Sequence, residues 1–332
     1  MLKLLTIFSF IFFLSFKLFA SETTGIITTI QPITSLVSAV IGNTGKTISL
    51  IPTEISPHEY KLKPSDIKKL QNGNIIFYVS DHLETSITKV FENLPKNIKS
   101  INLMEDAGIK HLAIRDNEAW ERHDHRHGHG DHHDHHKKAK EHDDHEDEKH
   151  AKKHDDHNNH EKEDDVHIWL SPDNAVKIIK KVNKELSLYF PENAKTYNKN
   201  TNQMIKKINE LEVELKNELS GIKDKPYIVF HDAYQYFETS FDLNAVGSIA
   251  LDGDIASSPK QISFIKDKIV KFKASCVFKE PQFDSKLVKI VAEGTNAQIG
   301  TLDPLGLNIK SGENFYLQLL KNMAKSLKDC LG

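Results

Sequence analysis

The side chains best suited to chemistry in this chain are imidazoles, and they occur in two textures. Of the 19 histidines, 14 lie between His123 and His160. There the pair His123 and His125, the pair His127 and His129, and the run His132, His133, His135 and His136 set rings close together on one stretch of chain. Imidazole suits zinc, copper and nickel. A flexible tract has no fixed geometry, so it is expected to bind several ions, each more weakly than a preformed site. A solvated polyampholyte with no metal role is the plainer alternative. The other five histidines stand in defined settings. His58 lies in Ser56-Pro57-His58-Glu59-Tyr60, His167 in Asp165-Val166-His167-Ile168-Trp169-Leu170-Ser171-Pro172, and His231 just before Asp232. Each alone reads as a packed, hydrogen-bonded core residue as easily as a ligand. His58 and His231 follow strand-like runs, as do Lys279-Glu280 and Asp303-Pro304, and open α/β sheets bind ligands beyond the carboxyl ends of their strands. That shared placement favours a metal site built from both halves of the chain. Asp303 and Glu280, each followed by proline, can equally cap turns. His82 and His111 read as solvated loop residues.

The elements that position these residues follow from short apolar runs alternating with helical patterns. Gly25–Ile30, Thr47–Ile51, Asn74–Val79 and Ser100–Leu103 read as strands in the first half. Tyr227–Phe230, Ala245–Ala250, Ala274–Phe278 and Gln298–Leu302 read as strands in the second. Pro64-Ser65-Asp66 opens a helix, as does Ser258-Pro259-Lys260. Ser171-Pro172 starts another, which fixes His167 four residues before a helix. Alternation of this kind predicts a parallel sheet in each half. Between the halves, Pro191 to about Leu219 contains no glycine, and Ile205, Ile208, Leu211, Leu215 and Leu219 make one apolar face. A helix of about 28 residues would run about 42 Å at about 1.5 Å per residue. A two-helix hairpin is the alternative, with no internal glycine or proline to break it.

Length and composition set the outer limits. The 332 residues suffice for two domains, and 38% hydrophobic with 27% charged residues suits a globular chain. Residues 121–165 hold 16 Asp/Glu against 9 Lys/Arg, a local charge of −7 in a chain of −3. The rest is therefore only mildly basic, which excludes a nucleic-acid binder driven by a large basic surface. The acidic segment has almost no apolar residues, cannot bury a core and is expected to be mobile. Residues 1–20 combine Lys3, an apolar run from Leu4 to Phe16 and Ala20 before Ser21. That is signal-peptide length, short for a membrane span, and predicts export. Lys17 sits unusually late for a signal peptide, and a retained anchor is the alternative. Cys276 and Cys330 are able to pair in an exported chain, or to stand as two thiols.

At SPHEYKLKPSD, DVHIWLSPDNA, VFHDAYQYFE and VFKEPQF with GTLDPLG, the chain resembles the zinc-binding substrate proteins of bacterial ABC importers, the ZnuA family. The resemblance covers about residues 23–332, with the His-rich insert in the family's place. It implies two α/β lobes, each a mainly parallel sheet flanked by helices, joined by one long rigid helix with the metal in the cleft. In this reading residues 1–20 are the signal peptide, 21–190 the first lobe with its insert at 121–165, 191–221 the linking helix and 222–332 the second lobe. By motif His58, His167 and His231 are the ligands, and Asp303 matches a carboxylate that closes the site in several relatives. Related manganese carriers usually have a carboxylate where His231 stands, so imidazole there favours zinc. The Cys276–Cys330 pair matches a disulfide of zinc-specific members. One departure is that some members have Glu directly before the first His; here Pro57 precedes His58 and Glu59 follows. The fourth ligand is then Asp303, Glu59 or water.

The implied protein is a monomeric periplasmic carrier of Zn²⁺ as cargo, with no catalytic residues. Its partners are a membrane permease and that permease's cytoplasmic ATPase; nucleic acid is not among them. The chain has no phosphate-binding Gly-x-x-x-x-Gly-Lys-Ser/Thr and is not itself the ATPase. A manganese or iron carrier of the same fold is one rival. A zinc hydrolase using Glu59 or Glu280 as base is another, although no HExxH occurs. A zinc buffer or adhesin without a transporter is the third.

Overall fold

The computed structural model describes residues 23–115, 163–250 and 259–332. The signal segment and Ser258 lie outside the described residues. So do the accessory histidines of the insert: His123, His125, His127, His129, His132, His133, His135 and His136. In the first half, β1 (Thr23–Thr28), α1 (Gln31–Ile41), β2 (Gly45–Ser49), α2 (Pro64–Gln71), β3 (Ile75–Tyr78), α3 (Thr85–Phe91), β4 (Lys99–Asn102) and α4 (Leu103–Asp106) precede α5 (Pro172–Tyr189). Then comes α6 (Ala194–Leu219). The second half holds β5 (Tyr227–His231), α7 (Gln235–Phe241), β6 (Ala245–Ala250), α8 (Pro259–Phe272), β7 (Cys276–Lys279), α9 (Lys286–Ala292), β8 (Gln298–Thr301) and α10 (Phe315–Leu331).

All eight expected strands are present, displaced by at most two residues at either end. They form two four-stranded sheets, β2-β1-β3-β4 and β6-β5-β7-β8. Every pairing in both is parallel. The repeated order places a topological switch point between β1 and β3, and another between β5 and β7. Central strands such as β3 and β5 are buried along their whole length, because helices cover both faces; their apolar runs therefore do not alternate.

The segment expected to be one long helix is helical throughout. A 3₁₀ turn at Pro191–Asn193 leads into the 26 residues of α6, about 39 Å at about 1.5 Å each, and Ser220–Ile222 closes it. Tyr197, Thr201, Met204, Ile208, Leu211, Leu215 and Leu219 form its buried face. One contiguous apolar core joins these residues to β1, α1, α5 and α10, and so includes side chains of both halves. A second, smaller core lies between the other face of the second sheet and α8 and α9, around Phe230, Ile249, Ile265, Val277 and Val288. The disulfide between Cys276 and Cys330 ties the start of β7 to the last turn of α10.

Candidate metal centre

Three local structures carry the three histidines to one point. His58 sits in the loop after β2, beside buried Ser56 and Pro57, and remains partly exposed. His167 precedes the 3₁₀ turn Ile168–Leu170, which feeds α5. Ser171 caps that helix by accepting from the Asn174 amide at 3.2 Å, and Pro172 opens it. His231 is the last residue of β5, at the switch point of the second sheet. Trp169 lies 5.3 Å from His167 between ring centroids and donates its indole N–H to the Pro304 carbonyl at 2.9 Å. That bond ties the support of a first-half ligand to the second half.

The Nε2 atoms of His58 and His167 are 3.2 Å apart, and those of His231 and His167 are 3.3 Å apart. A tetrahedral zinc with Zn–N distances of about 2.0–2.1 Å requires ligand nitrogens about 3.3–3.4 Å apart. The tautomers are set from behind. His167 Nδ1 lies 2.8 Å from Asp165 Oδ1, and His231 Nδ1 lies 2.7 Å from Glu280 Oε1. A carboxylate at Nδ1 holds the proton there and leaves Nε2 as a bare lone pair. Facing ring nitrogens at this spacing are bridged by a metal ion, or by a proton carried on one of them. Among the described residues these three histidines are the one group of metal-capable side chains whose ligand atoms all converge within 4.8 Å.

The electrostatics favour the neutral form in two of the three rings and oppose it in the third. Burial holds the His58 imidazole well below its ordinary range, and the neighbouring His167 and His231 push it the same way. Burial, then His231, does so for His167. Burial also disfavours charge on His231, but Glu280, Asp232 and Asp165 together outweigh it and raise its pKa. The Asp165 carboxyl is pushed up to about 7 by burial, against the His167 amide that bonds it and the charge of Arg115.

The other sequence candidates occupy different places. Asp303 holds a turn. Its Oδ1 accepts from the Leu305 and Gly306 amides at 3.0 and 2.9 Å and from Gln282 Nε2 at 3.0 Å, while Oδ2 accepts from the Leu307 amide at 2.6 Å. Gly306 is required there: its φ is +74°, and a Cβ would lie 2.5 Å from the Phe315 ring. Glu59 is exposed. Glu280 is the carboxylate that lines the cavity with the histidines, together with Gln282, Phe283, Pro304 and Leu305. The space among them takes about one water-sized sphere. His82 and His111 lie apart, lining a separate cavity where His111 Nδ1 meets Asp164 Oδ2 at 2.6 Å. The clustered histidines His123, His125, His127, His129, His132, His133, His135 and His136 lie outside the described residues. In the sequence Glu280 reads as a base or a turn cap, and Asp165 carries no assigned role. The signal available was a carboxylate two residues before His167, and one just beyond the strand that neighbours β5.

The sequence matches the family model described as zinc-uptake complex component A, periplasmic, over residues 26–330. A high-affinity zinc uptake system protein ZnuA of Brucella abortus (strain 2308) is 41% identical over 312 residues, 94% of this chain and 93% of that protein. The protein so named in Haemophilus ducreyi (strain 35000HP / ATCC 700724) is 35% identical and covers 92% of this chain and 93% of its own length. A crystal structure of ZnuA superposes with a TM-score of 0.72 at 21% identity, covering 92% of this chain and 98% of that one; at such identity the likeness concerns the fold.

Proposed function

The chain belongs to the ZnuA family of zinc-uptake components, and from that premise we propose that it is the periplasmic substrate-binding protein of a zinc ABC importer. It captures one Zn²⁺ at His58, His167 and His231 and delivers it to a membrane permease driven by a cytoplasmic ATPase. Residues 1–20 direct export and are removed, and the mature chain acts as a monomeric carrier without catalysis. The lobes divide at 21–190 and 222–332, with 191–221 between them. Two ligands belong to the first lobe and one to the second, so zinc fastens the lobes to each other.

The observation that carries this reading is the convergence of Nε2 lone pairs at 3.2 and 3.3 Å, with Nδ1 of His167 and His231 held by carboxylates. Water fits the fourth position better than Asp303, whose oxygens already accept from three amides and Gln282. Three imidazoles also favour zinc over manganese, which prefers oxygen ligands. The test is zinc titration of the mature chain against a chelator. One tight site is expected, lost in His58→Ala, His167→Ala and His231→Ala, with Mn²⁺ unable to displace the zinc. Removing residues 123–160 is expected to lower the total zinc bound while keeping the tight ion. Loss of that ion on removal would move the cargo site into the insert. A deletion strain that grows normally under zinc chelation would refute the transport role.

A further inference from the structure

The two stretches of chain that flank the acidic insert, 112–115 and 163–165, form a short neck. Ala113 bridges Asp164 in antiparallel fashion, the Ile114 amide donates to the Glu163 carbonyl at 2.8 Å, and the Asp165 amide donates to the Leu112 carbonyl at 2.7 Å. The neck belongs to the first half, yet it docks on the second. Tyr236 of α7 accepts from the Leu112 amide at 3.1 Å and donates its hydroxyl to the Asp165 carbonyl at 3.0 Å. At the neck's edge, Arg115 aims its guanidinium at two buried carboxylates of the second half. Its Nε lies 3.1 and 3.0 Å from the Asp232 oxygens, its Nη2 also bonds Asp232, and its Nη1 bonds Glu238 at 2.6 Å. The Arg115 side chain is 22% exposed, Asp232 9% and Glu238 6%. Water does little to screen this cluster, and a single fork of donors meets two separate acids.

Both ends of this clamp abut the metal centre. Asp232 follows His231 directly, and Asp165, in the neck, holds His167 Nδ1. The Nε2 lone pairs of those two histidines face each other across the lobes at 3.3 Å. In the zinc-free protein at most a proton bridges them, so the placement of the two rings depends on the contacts that join the neck to β5 and α7. We infer that Arg115 is a positioning residue: within lobes already joined by their shared core, its fork onto Asp232 and Glu238 sets the local spacing of the neck and the end of β5, and so of His167 and His231, before zinc arrives. This rests on the zinc-site reading above.

The test uses the full mature chain with its native disulfide. Spin labels are attached to cysteines introduced at exposed Lys61 and Asp284, on opposite sides of the cleft. The variants are Arg115→Lys, which keeps charge without the fork, and the triple change Arg115→Met/Asp232→Asn/Glu238→Gln. The triple change removes the buried charges together and so avoids stranding two carboxylates. Pulsed EPR on zinc-free protein is expected to give one narrow label distance in the otherwise native chain. It should broaden in both variants and narrow again when Zn²⁺ is added. Tight-site zinc affinity should fall about ten- to a hundredfold, the range typical of lost outer-shell support. Zinc-free distances as narrow as in the native chain, or affinity within about twofold, would overturn the clamp. If the native chain binds no tight zinc, or His231→Ala retains it, the site reading fails instead. The zinc-free distances still decide the clamp in that case.

Discussion

At His231 two opposed influences meet, and their balance sets how the site answers acid. Burial resists charge on the ring, while Glu280 at 2.7 Å from Nδ1, with Asp232 and Asp165 nearby, favours it and wins. His58 and His167 are held low, so they are neutral throughout the neutral range. Zinc must displace any proton on its ligand nitrogens. Below its raised pKa His231 carries that competing proton; above it, the ring is free to bind. Affinity should therefore begin to fall on acidification at a pH above the ordinary histidine value of about 6.5. Calorimetry in buffers of different ionisation enthalpy should find at most one proton released per zinc at neutral pH, rather than three, because only His231 favours its charged form. A pH-independent affinity between about pH 7.5 and about pH 5 would remove imidazole from the site. Glu280 also orients the ring, and its replacement in Glu280→Gln takes away the charge that makes Nε2 a strong donor. Competition against a chelator should then show zinc bound about ten- to a hundredfold more weakly. An unchanged affinity would assign Glu280 to packing alone.

The strands and α6 are legible in the sequence for the same reason: each is specified by its own apolar pattern. β3 and β5 sit under helices on both sides and read as unbroken apolar runs, while β1 and β7 are short runs with polar ends. His231 is legible because it ends such a run, His58 because it follows the strand-like run Thr47–Ile51, and His167 because Ser171-Pro172 marks the helix just beyond it. Asp165 lies only two residues from His167, but that spacing alone does not mark it as the Nδ1 partner. Glu280 and Arg115 acquire their roles only through partners distant in sequence, across 49 residues for Glu280 and 117 for Arg115 with Asp232. No local spacing encodes those contacts. The two sheets nevertheless use their switch points alike. After β3, buried Glu84 accepts from Thr29, just past β1, at 2.5 Å; after β7, Glu280 bonds His231 at the end of β5. The first sheet spends that position on holding its own loop, the second on a ligand. The disulfide acts at the far end of β7 from Glu280. Closing 54 residues of separation, it is worth about 4 kcal/mol in the chain-entropy picture. The paired change Cys276→Ala/Cys330→Ala should lower zinc-free stability to denaturant by about that amount, while zinc affinity stays within about threefold. A large loss of affinity with little loss of stability would mean the bond positions the site.

For the whole molecule, the decisive fact is that the larger apolar core does not stop at the cleft. Ile33 and Leu36 of α1, Ile208 and Leu211 of α6, and Phe315, Tyr316 and Leu319 of α10 belong to one buried cluster. Polar contacts cross with it: the Tyr316 hydroxyl donates to the Trp169 carbonyl at 2.9 Å, and the Tyr316 amide donates to Ser35 Oγ at 3.0 Å. Two lobes that share a core cannot swing apart without exposing it, at about 25 cal/mol for each Å² of apolar surface. Zinc release must then work through local shifts at the His58 loop, the one ligand site that is partly exposed, rather than through wide opening. A shared core also makes the lobes unfold together. Calorimetric unfolding should show a single cooperative transition both without and with zinc, with calorimetric and van't Hoff enthalpies in agreement. Zinc binds across both lobes and only in the folded state, so free zinc at about a thousand times its dissociation constant should add about 4 kcal/mol. The transition should move upward as a unit. Two resolved transitions in the zinc-free protein, merging only when zinc is added, would mean that the metal rather than the core joins the lobes.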